Sequence, residues 1–499
     1  MGCSRGALAL VFASVLTTFA QGTPPAPAGG LPAAFEEKAR TLPPDSAPFH
    51  VKRGLQNLTK RAQAARLFKF ASGPRRVEGV GRAPVLTARF SDPAGPPYPV
   101  AQLQQMLFHG PWPTGTMSDY YREVSSRSFT LTGLVQPWVT LAHDSSYYEG
   151  ADFLDAVSRE TKPCHGVCSA NRLHELISEV LSSPENAAID WGAFDNDGPD
   201  TIPNSGDDDG YVDFVAFVHS EFGGECPMAG NRNIWSHTSS LSNFPAGTYQ
   251  TTSQRPGGGF VMIDDFTIVP ALACDGQMIQ IGVFAHEFGH AFGLPDLYDT
   301  DSANGESAGV GHWCLMSGGT WGGNGLSPDR PAHLSPWAKE SLGWLDVIDV
   351  TQDEPVAVLD DIGVTHTARR LQISPTSYYL IANVGQMGFN AQLHSAGLQI
   401  WKVDEAVIRQ NIFSNRVNAD ALNRGVQFVE ADGNHGLDDP ANHGEPGDVF
   451  PGTTGNRSFD AFANPSSEGG VSVCAISDAA PQMRVGLFIS SDRCATLPP

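Results

Sequence analysis

Residues 284–299, FAHEFGHAFGLPDLYD, hold two histidines, a glutamate and an aspartate at a spacing that can support chemistry. Residues four apart share one face of a helix, so His286 and His290 would project their imidazoles toward one point. Two converging imidazoles suit a borderline cation such as zinc. Glu287 would then lie beside the metal and could accept a proton from a metal-bound water. The spacing therefore predicts a zinc site with its own general base.

A catalytic zinc site also needs a third protein ligand and an open fourth position. Gly293 can turn the chain sharply out of the helix, which would bring Asp296 back beneath the two histidines. The metzincin pattern H-E-x-x-H-x-x-G-x-x-H has histidine where this chain has Asp296. Because a carboxylate also binds zinc, at about 2.0–2.2 Å, we predict that His286, His290 and Asp296 are the ligands. The structural alternative is a pair of histidines satisfied in a core.

The stretch GHWCLMSGGTWGG (311–323) places Met316 before a serine and two glycines, downstream of Asp296. In metzincin-like sites a methionine in a tight turn forms an apolar floor below the ligands. A methionine before glycine is ordinary in a loop, but after the zinc motif it favours this interpretation. His312 is a spare imidazole, which we do not assign as a ligand.

A third group of residues is acidic. The segment DWGAFDNDGPDTIPNSGDDDGYVDF (190–214) alternates aspartate with glycine, as loops that bind calcium do. The spacing is not that of an EF-hand, and a solvated acidic loop is the alternative. We predict a structural calcium site with five candidate ligands: Asp195, Asp197, Asp207, Asp209 and Asp213. A second acidic stretch, FVEADGNHGLDDPANHGEPGDVFPG (428–452), is a weaker candidate for a further ion.

Composition limits the possible partners. The chain has 499 residues, enough for two or three cores, and carries a net charge of −23. Nucleic-acid binding requires clustered Lys and Arg, so this charge argues against it. No stretch after the N-terminus is apolar enough to cross a membrane, and we expect a monomer.

The N-terminus predicts export. Residues 1–20 hold a short apolar run that ends in small residues, as a signal peptide does, with a membrane anchor as the alternative. Residues 21–76 are rich in Pro and Gly and then relatively basic, which predicts a propeptide or linker or, alternatively, a disordered arm. Seven cysteines would remain after signal removal, so at least one is left over. Local pairing is possible for Cys164 with Cys168 and for Cys474 with Cys494.

The elements that must position these groups divide the remaining chain in two. Strand-like runs at 83–92 and 211–220 and an apolar helix at 278–294 predict an α/β (α+β) zincin-type catalytic domain over 77–345. Short β-prone runs then alternate with Asn, Asp, Gly and Pro. They predict a β-rich, sandwich-like domain over 346–499.

Several motifs together resemble the secreted metallopeptidases of the immune inhibitor A family. The resemblance spans about residues 80–455 and rests on AHEFGHAFGLPDLYD, WCLMSGGTW, DNDG…DDDGYVDF, SDYYREVSSRSFTLTG, GLQIWKVDEAV and VEADG…GDVFPG. It implies a zinc endopeptidase made with a signal and propeptide, with calcium as a structural ion and β-rich modules after the catalytic domain. The insertion PDTIPNSG leaves the calcium geometry open.

Together these features predict a secreted zinc-dependent endopeptidase that acts on proteins or peptides through a zinc-bound water activated by Glu287. One alternative is a calcium-stabilised secreted binding or adhesion protein whose zincin domain is inactive. A pseudoenzyme would be expected to lose Glu287 before the ligands, and this chain keeps all of them. The other alternative is a zinc amidase, for which the site chemistry would be the same.

Overall fold

The computed structural model describes residues 21–24 and 77–489, apart from 93–94, 155–158, 160, 169, 197–201, 207, 302–303, 305 and 323–324, together with Cys494. The predicted signal peptide (1–20) and most of the predicted propeptide or linker lie outside these residues. Within the part of the chain that is described, no helix is long and apolar enough to cross a membrane.

The chain forms a mixed α/β structure. The strands are β1 (Gln21–Gly22), β2 (Gly79–Arg89), β3 (Phe129–Val135), β4 (Val139–Thr140), β5 (Phe153–Leu154), β6 (Thr161–Lys162), β7 (Ala216–Phe222), β8 (His237–Ser240), β9 (Tyr249–Gln254), β10 (Phe260–Ile263), β11 (Asp265–Leu272), β12 (Asp346–Asp349), β13 (Glu354–Asp360), β14 (Thr367–Gln372), β15 (Ser377–Val384), β16 (Gly397–Asp404), β17 (Val426–Phe428), β18 (Ser472–Cys474) and β19 (Gln482–Phe488). The α-helices are α1 (Val100–Gln104), α2 (Met117–Val124), α3 (Ser145–Glu149), α4 (Ala170–Leu181), α5 (Ile281–Ala291), α6 (Pro336–Ser341), α7 (Ile362–Thr365) and α8 (Glu405–Asn411).

The main sheet has seven strands, in the order β1-β8-β11-β7-β2-β3, with β4 also paired to β2. Strands β11, β7, β2 and β3 run parallel, whereas β8 is antiparallel to β11. Parallel strands are usually covered on both faces, and here neighbouring residues alternate between two cores. Val85 packs into one core and Leu86 into the other, and Val269 and Ile268 alternate in the same way.

The elements predicted for the first half of the chain are present with shifted ends. The strand predicted at 83–92 is β2, and the helix predicted at 278–294 is α5. The strand predicted at 211–220 begins only at Ala216, because the preceding residues pair elsewhere: the N–H of Val212 donates to the carbonyl of Met262 at 2.9 Å.

The second half contains a five-stranded sheet, β12-β14-β15-β16-β17, and a three-stranded sheet, β13-β19-β18. Along β15, Tyr379 and Ile381 share a core with the three-stranded sheet. Tyr378 and Leu380, which point to the opposite face, pack into the same core as α5. The β-rich character is as predicted, but one face of the larger sheet supports the first half of the chain. A separate sandwich-like domain over 346–499 remains a prediction.

Three disulfides join Cys164 to Cys168, Cys226 to Cys274 and Cys474 to Cys494. The first and third are the local pairs that the sequence allowed. The second links the loop after β7 to the chain just after β11, across a sequence separation of 48 residues. Cys314 is the odd cysteine among those described and is buried.

Candidate metal centre and cleft

Helix α5, Ile281–Ala291, carries the residues from which the site was predicted. Every residue from Ile281 to His290 is buried. Apart from the two histidines and the glutamate these residues are apolar or glycine, as expected for a helix that is covered on all sides. No side chain caps its N-terminus, but the N–H of Gly282 donates to the carbonyl of Pro328 at 2.8 Å. The helix ends at Ala291, and Gly293, two residues on, has a φ of 92°, which is strained for any residue with a side chain.

The turn at Gly293 brings three residues together. Asp296 Oδ1 lies 3.1 Å from His286 Nε2 and 3.3 Å from His290 Nε2. All three side chains are fully buried, and the two imidazole rings are nearly perpendicular at 88°. One donor atom from each residue lies within 4.8 Å of the other two, so the group has the spacing to hold a metal ion.

Both imidazoles are oriented by hydrogen bonds from their far sides. His286 Nδ1 lies 2.9 Å from the carbonyl oxygen of Leu315, and His290 Nδ1 lies 2.8 Å from that of Leu294. A carbonyl can only accept, so each Nδ1 carries a proton, and in the neutral imidazole each Nε2 then presents a lone pair. Such bonds fix the tautomer that a metal ligand needs.

Asp296 is held by Asn415, which follows α8 and lies far along the chain. The Asn415 amide donates to Asp296 Oδ2 at 2.5 Å, and its carbonyl oxygen accepts the N–H of Asp296 at 2.8 Å. The sequence did not indicate this residue, because nothing local links positions 296 and 415. Tyr298 is also buried, and its pKa is raised well above its usual range by burial, by nearby carboxylates and by its hydrogen bond to Asp296.

Met316 lies directly against α5. A Cβ added at Gly289 would come within 2.5 Å of the Met316 sulfur, so the methionine fills the space that a side chain there would need. The carbonyl of Met316 accepts the N–H of Leu297 at 2.7 Å, which joins its loop to the segment that carries Asp296. Met316 therefore packs against the helix that carries the two histidines, and its role as an apolar floor remains a prediction.

Glu287, the residue after His286, faces β8. Its Oε2 accepts from the hydroxyl of Thr238 at 2.9 Å, and its Oε1 accepts from the hydroxyl of Thr23 at 2.5 Å. Burial raises the pKa of Glu287 to about 8, although His286 and the two hydroxyls act in the opposite direction. A cation held by the neighbouring histidines would lower this pKa.

Residues 21–24 lie beside Glu287 as an extended chain, in the space between β8 and α5 that we call the cleft. Gln21 and Gly22 pair antiparallel with β8, in register with Thr238 and His237. Two indoles hold the carbonyls that follow: Trp235 Nε1 donates to Thr23 at 2.9 Å, and Trp321 Nε1 donates to Pro24 at 3.0 Å. The edge of the main sheet therefore binds a peptide main chain next to the candidate metal ligands.

The acidic segment 190–214, in which a calcium site was predicted, is described only in part. Asp197 and Asp207 lie outside the described residues, whereas Asp195 is buried and Asp209 and Asp213 accept backbone N–H groups. The described part of the segment contains no group of three ligands, and Arg255 helps to line its cavity. Calcium at this position remains a prediction.

The fold and the three-residue centre are those of a metallopeptidase-type domain, in which a buried helix carries two candidate ligands and an adjacent glutamate beside a sheet edge. Residues 101–345 match the family described as immune inhibitor A peptidase M6, catalytic domain. The chain therefore contains a region that matches the catalytic domain of this family.

Two curated relatives agree with this assignment. Immune inhibitor A of Bacillus thuringiensis subsp. alesti is 31% identical over 252 residues, which cover 48% of this chain and 34% of that protein. Pre-pro-metalloprotease PrtV of Vibrio cholerae serotype O1 (strain M66-2) is 29% identical over 258 residues, 49% of this chain and 26% of that protein. The matched region is therefore about a third or less of each relative's length.

Proposed function

We propose that this chain is a secreted zinc endopeptidase in which His286, His290 and Asp296 hold the metal. Two imidazole nitrogens and one carboxylate oxygen are a donor set typical of catalytic zinc. His290 Nε2 is buried, and its polar contact is with Asp296 Oδ1, another candidate ligand, at 3.3 Å, which supports a ligand role. When bound, zinc polarises a carbonyl and lowers the pKa of its water to about 7.

Glu287 is the general base of this proposal. Its carboxylate lies one residue from His286, and Thr238 holds one of its oxygens. The other oxygen faces the cleft, where residue 23 now touches it. From there it accepts a proton from the attacking water and passes it to the leaving amine.

The observation that best supports a peptide substrate is the extended segment 21–24, which is bound along β8. Its backbone pairs with the edge strand, and Trp235 and Trp321 hold its carbonyls. Main-chain pairing with a sheet edge gives affinity for any extended peptide. A small amide would use few of these contacts, so the amidase alternative is not supported by a feature of the cleft.

The position of the same segment supports the proposal that the precursor is inactive until its propeptide is removed. Residues 21–24 fall in the predicted propeptide and cover the free oxygen of Glu287. We propose that residues 21–24 must leave this position, through removal of the propeptide 21–76, before substrate can enter. A chain beginning near residue 77 should then be more active than the chain beginning at 21, and equal activities would contradict latency.

Secretion and structural calcium are further parts of the proposal. Three disulfides among the described residues fit an oxidising compartment. The candidate calcium ligands are the five aspartates predicted from the acidic segment: Asp195, Asp197, Asp207, Asp209 and Asp213. We further propose a monomer.

The test of the function is metal dependence of peptide cleavage. The activated protein should cleave casein, lose this activity after zinc removal by a chelator, and regain it when zinc alone is restored. Activity that survives complete zinc removal would contradict the proposal.

A further inference from the structure

Glu225 is a buried carboxylate that has no role in the catalysis proposed above. It lies in the loop after β7, and only 2% of its surface is exposed. Its Oε1 accepts from the hydroxyl of Ser236 at 2.6 Å, and its Oε2 accepts from the N–H of the same residue at 3.1 Å. The carboxylate therefore holds both hydrogen-bond donors of one residue, and that residue immediately precedes the edge strand β8.

The remaining polar group of Ser236, its carbonyl, faces the cleft. It accepts the N–H of Thr23 at 3.1 Å, and the neighbouring Trp235 donates its indole N–H to the carbonyl of Thr23 at 2.9 Å. Two consecutive residues thus bind both main-chain groups of one residue in the cleft. A change in the backbone conformation at Ser236 would turn its carbonyl away from the bound chain.

The loop that carries Glu225 is itself fixed in place. The Asn231 side-chain amide lies within 3.1 Å of three carbonyl oxygens of that loop, those of Gly223, Gly224 and Cys226. The disulfide of Cys226 also ties the loop to the chain just after β11. The carboxylate therefore extends from a rigid support toward the start of β8.

Gly223 makes room for the carboxylate. A Cβ added at Gly223 would come within 2.2 Å of both carboxylate oxygens of Glu225. Because these oxygens end a flexible side chain, an added methyl group would displace them before it displaced the backbone. Gly223→Ala is therefore a way to move the carboxylate while Glu225 itself stays in the sequence.

We propose that Glu225 is a positioning residue for peptide binding, which acts through Ser236 to hold the edge of the main sheet in the conformation that pairs with an extended substrate. The inference rests on the proposed function, because a substrate is taken to replace residues 21–24 along β8. Main-chain pairing with a sheet edge gives affinity for any extended peptide, so the effect of Glu225 extends to substrates of different sequence. An interaction made equally with the bound substrate and the transition state changes KM and leaves kcat unchanged.

Hydrogen exchange in the intact chain tests the placement of Ser236 without requiring catalysis. The N–H of Thr23 should be protected in the parent, and Glu225→Ala and Gly223→Ala should each raise its exchange rate about tenfold or more. Glu225→Gln keeps one acceptor oxygen and should lie closer to the parent. The amides of β7 should exchange at the parental rate in every variant, whereas a general loss of stability would raise their rate too. A Thr23 amide that is unprotected in the parent, or unchanged in both folded variants, would overturn the proposal.

Kinetics of the activated protein test the effect on substrate binding. At equal zinc content, Glu225→Ala should raise KM for a peptide by roughly 2–12-fold, the contribution of one hydrogen bond, and leave kcat unchanged. Asn383→Ala is the control, because Asn383 is equally buried but donates to backbone carbonyls in the second half of the chain. It should lower the free energy of unfolding and leave KM unchanged.

A parental KM in the folded Glu225→Ala variant would overturn the role of Glu225 in peptide binding. A parent protein that shows no zinc-dependent cleavage would instead contradict the proposed function. In that case the exchange rate of Thr23 would still decide whether Glu225 positions Ser236.

Discussion

Asn415 offers the sharpest test of how the centre is supported. Its side chain makes two hydrogen bonds with Asp296, one to the carboxylate and one from the N–H. Its φ of 54° lies in the left-handed region, which favours glycine and tolerates asparagine. Asn415→Gly therefore removes both bonds without backbone strain, whereas Asn415→Ala also adds about 1–2 kcal/mol of strain.

The expected effect on zinc follows from the role of Asp296. Residues that orient a metal ligand typically contribute about 10–100-fold to metal affinity. Both substitutions should weaken zinc binding by about this factor, because the carboxylate loses its donor and its position. Competition with a chromophoric chelator measures the affinity, and denaturant unfolding should show Asn415→Ala to be less stable than Asn415→Gly by about 1–2 kcal/mol.

Asn418 provides the control. It is equally buried, but it bonds to the backbone of Leu297 and Val426 and not to a candidate ligand. Asn418→Ala should lower the free energy of unfolding and leave zinc affinity unchanged. If folded Asn415→Gly and Asn418→Ala bind zinc with the same affinity as the parent, Asn415 does not position Asp296.

Three further outcomes are expected. Gly289→Ala places a Cβ within 2.5 Å of the Met316 sulfur and should lower the free energy of unfolding by about 1–3 kcal/mol; an unchanged melting temperature would contradict the packing. Trp235→Phe removes one donor to a peptide carbonyl and should reduce kcat/KM for a peptide by roughly 2–12-fold, with Trp401→Phe as a control remote from the cleft. The free energy of unfolding should fall as pH rises from about 4.5 to about 7, in part because burial raises the folded-state pKa of Glu430 to about 7 and disfavours its charged form. Glu430→Gln should weaken this dependence, and an unchanged pH profile in the folded variant would argue against it.

The parts of the candidate site that depend on local spacing could be predicted from the sequence. The i, i+4 spacing on one helix accounts for His286 and His290, and the glycine turn accounts for Asp296. Each of these relations spans only a few residues, and the steric freedom of Gly293 determines the last one. The run of apolar residues likewise identified α5, although its observed ends differ by a few residues.

Contacts between distant segments were not predictable in this way. Asn415 reaches Asp296 across a sequence separation of 119 residues, and Thr238 reaches Glu287 of helix α5 from strand β8. Residues 21–24 were predicted to be propeptide or linker, but alternation and composition cannot say which sheet edge a segment joins. The pairing of Cys226 with Cys274 depends on the same kind of long-range information.

The central claim is that Glu287 acts as a base beside a zinc ion held by His286, His290 and Asp296. The most direct measurement compares casein cleavage by the activated protein and by its Glu287→Ala variant, after zinc content has been shown to be equal. We predict cleavage by the parent and none by the variant. Equal cleavage by both proteins, at equal zinc content, would contradict the account.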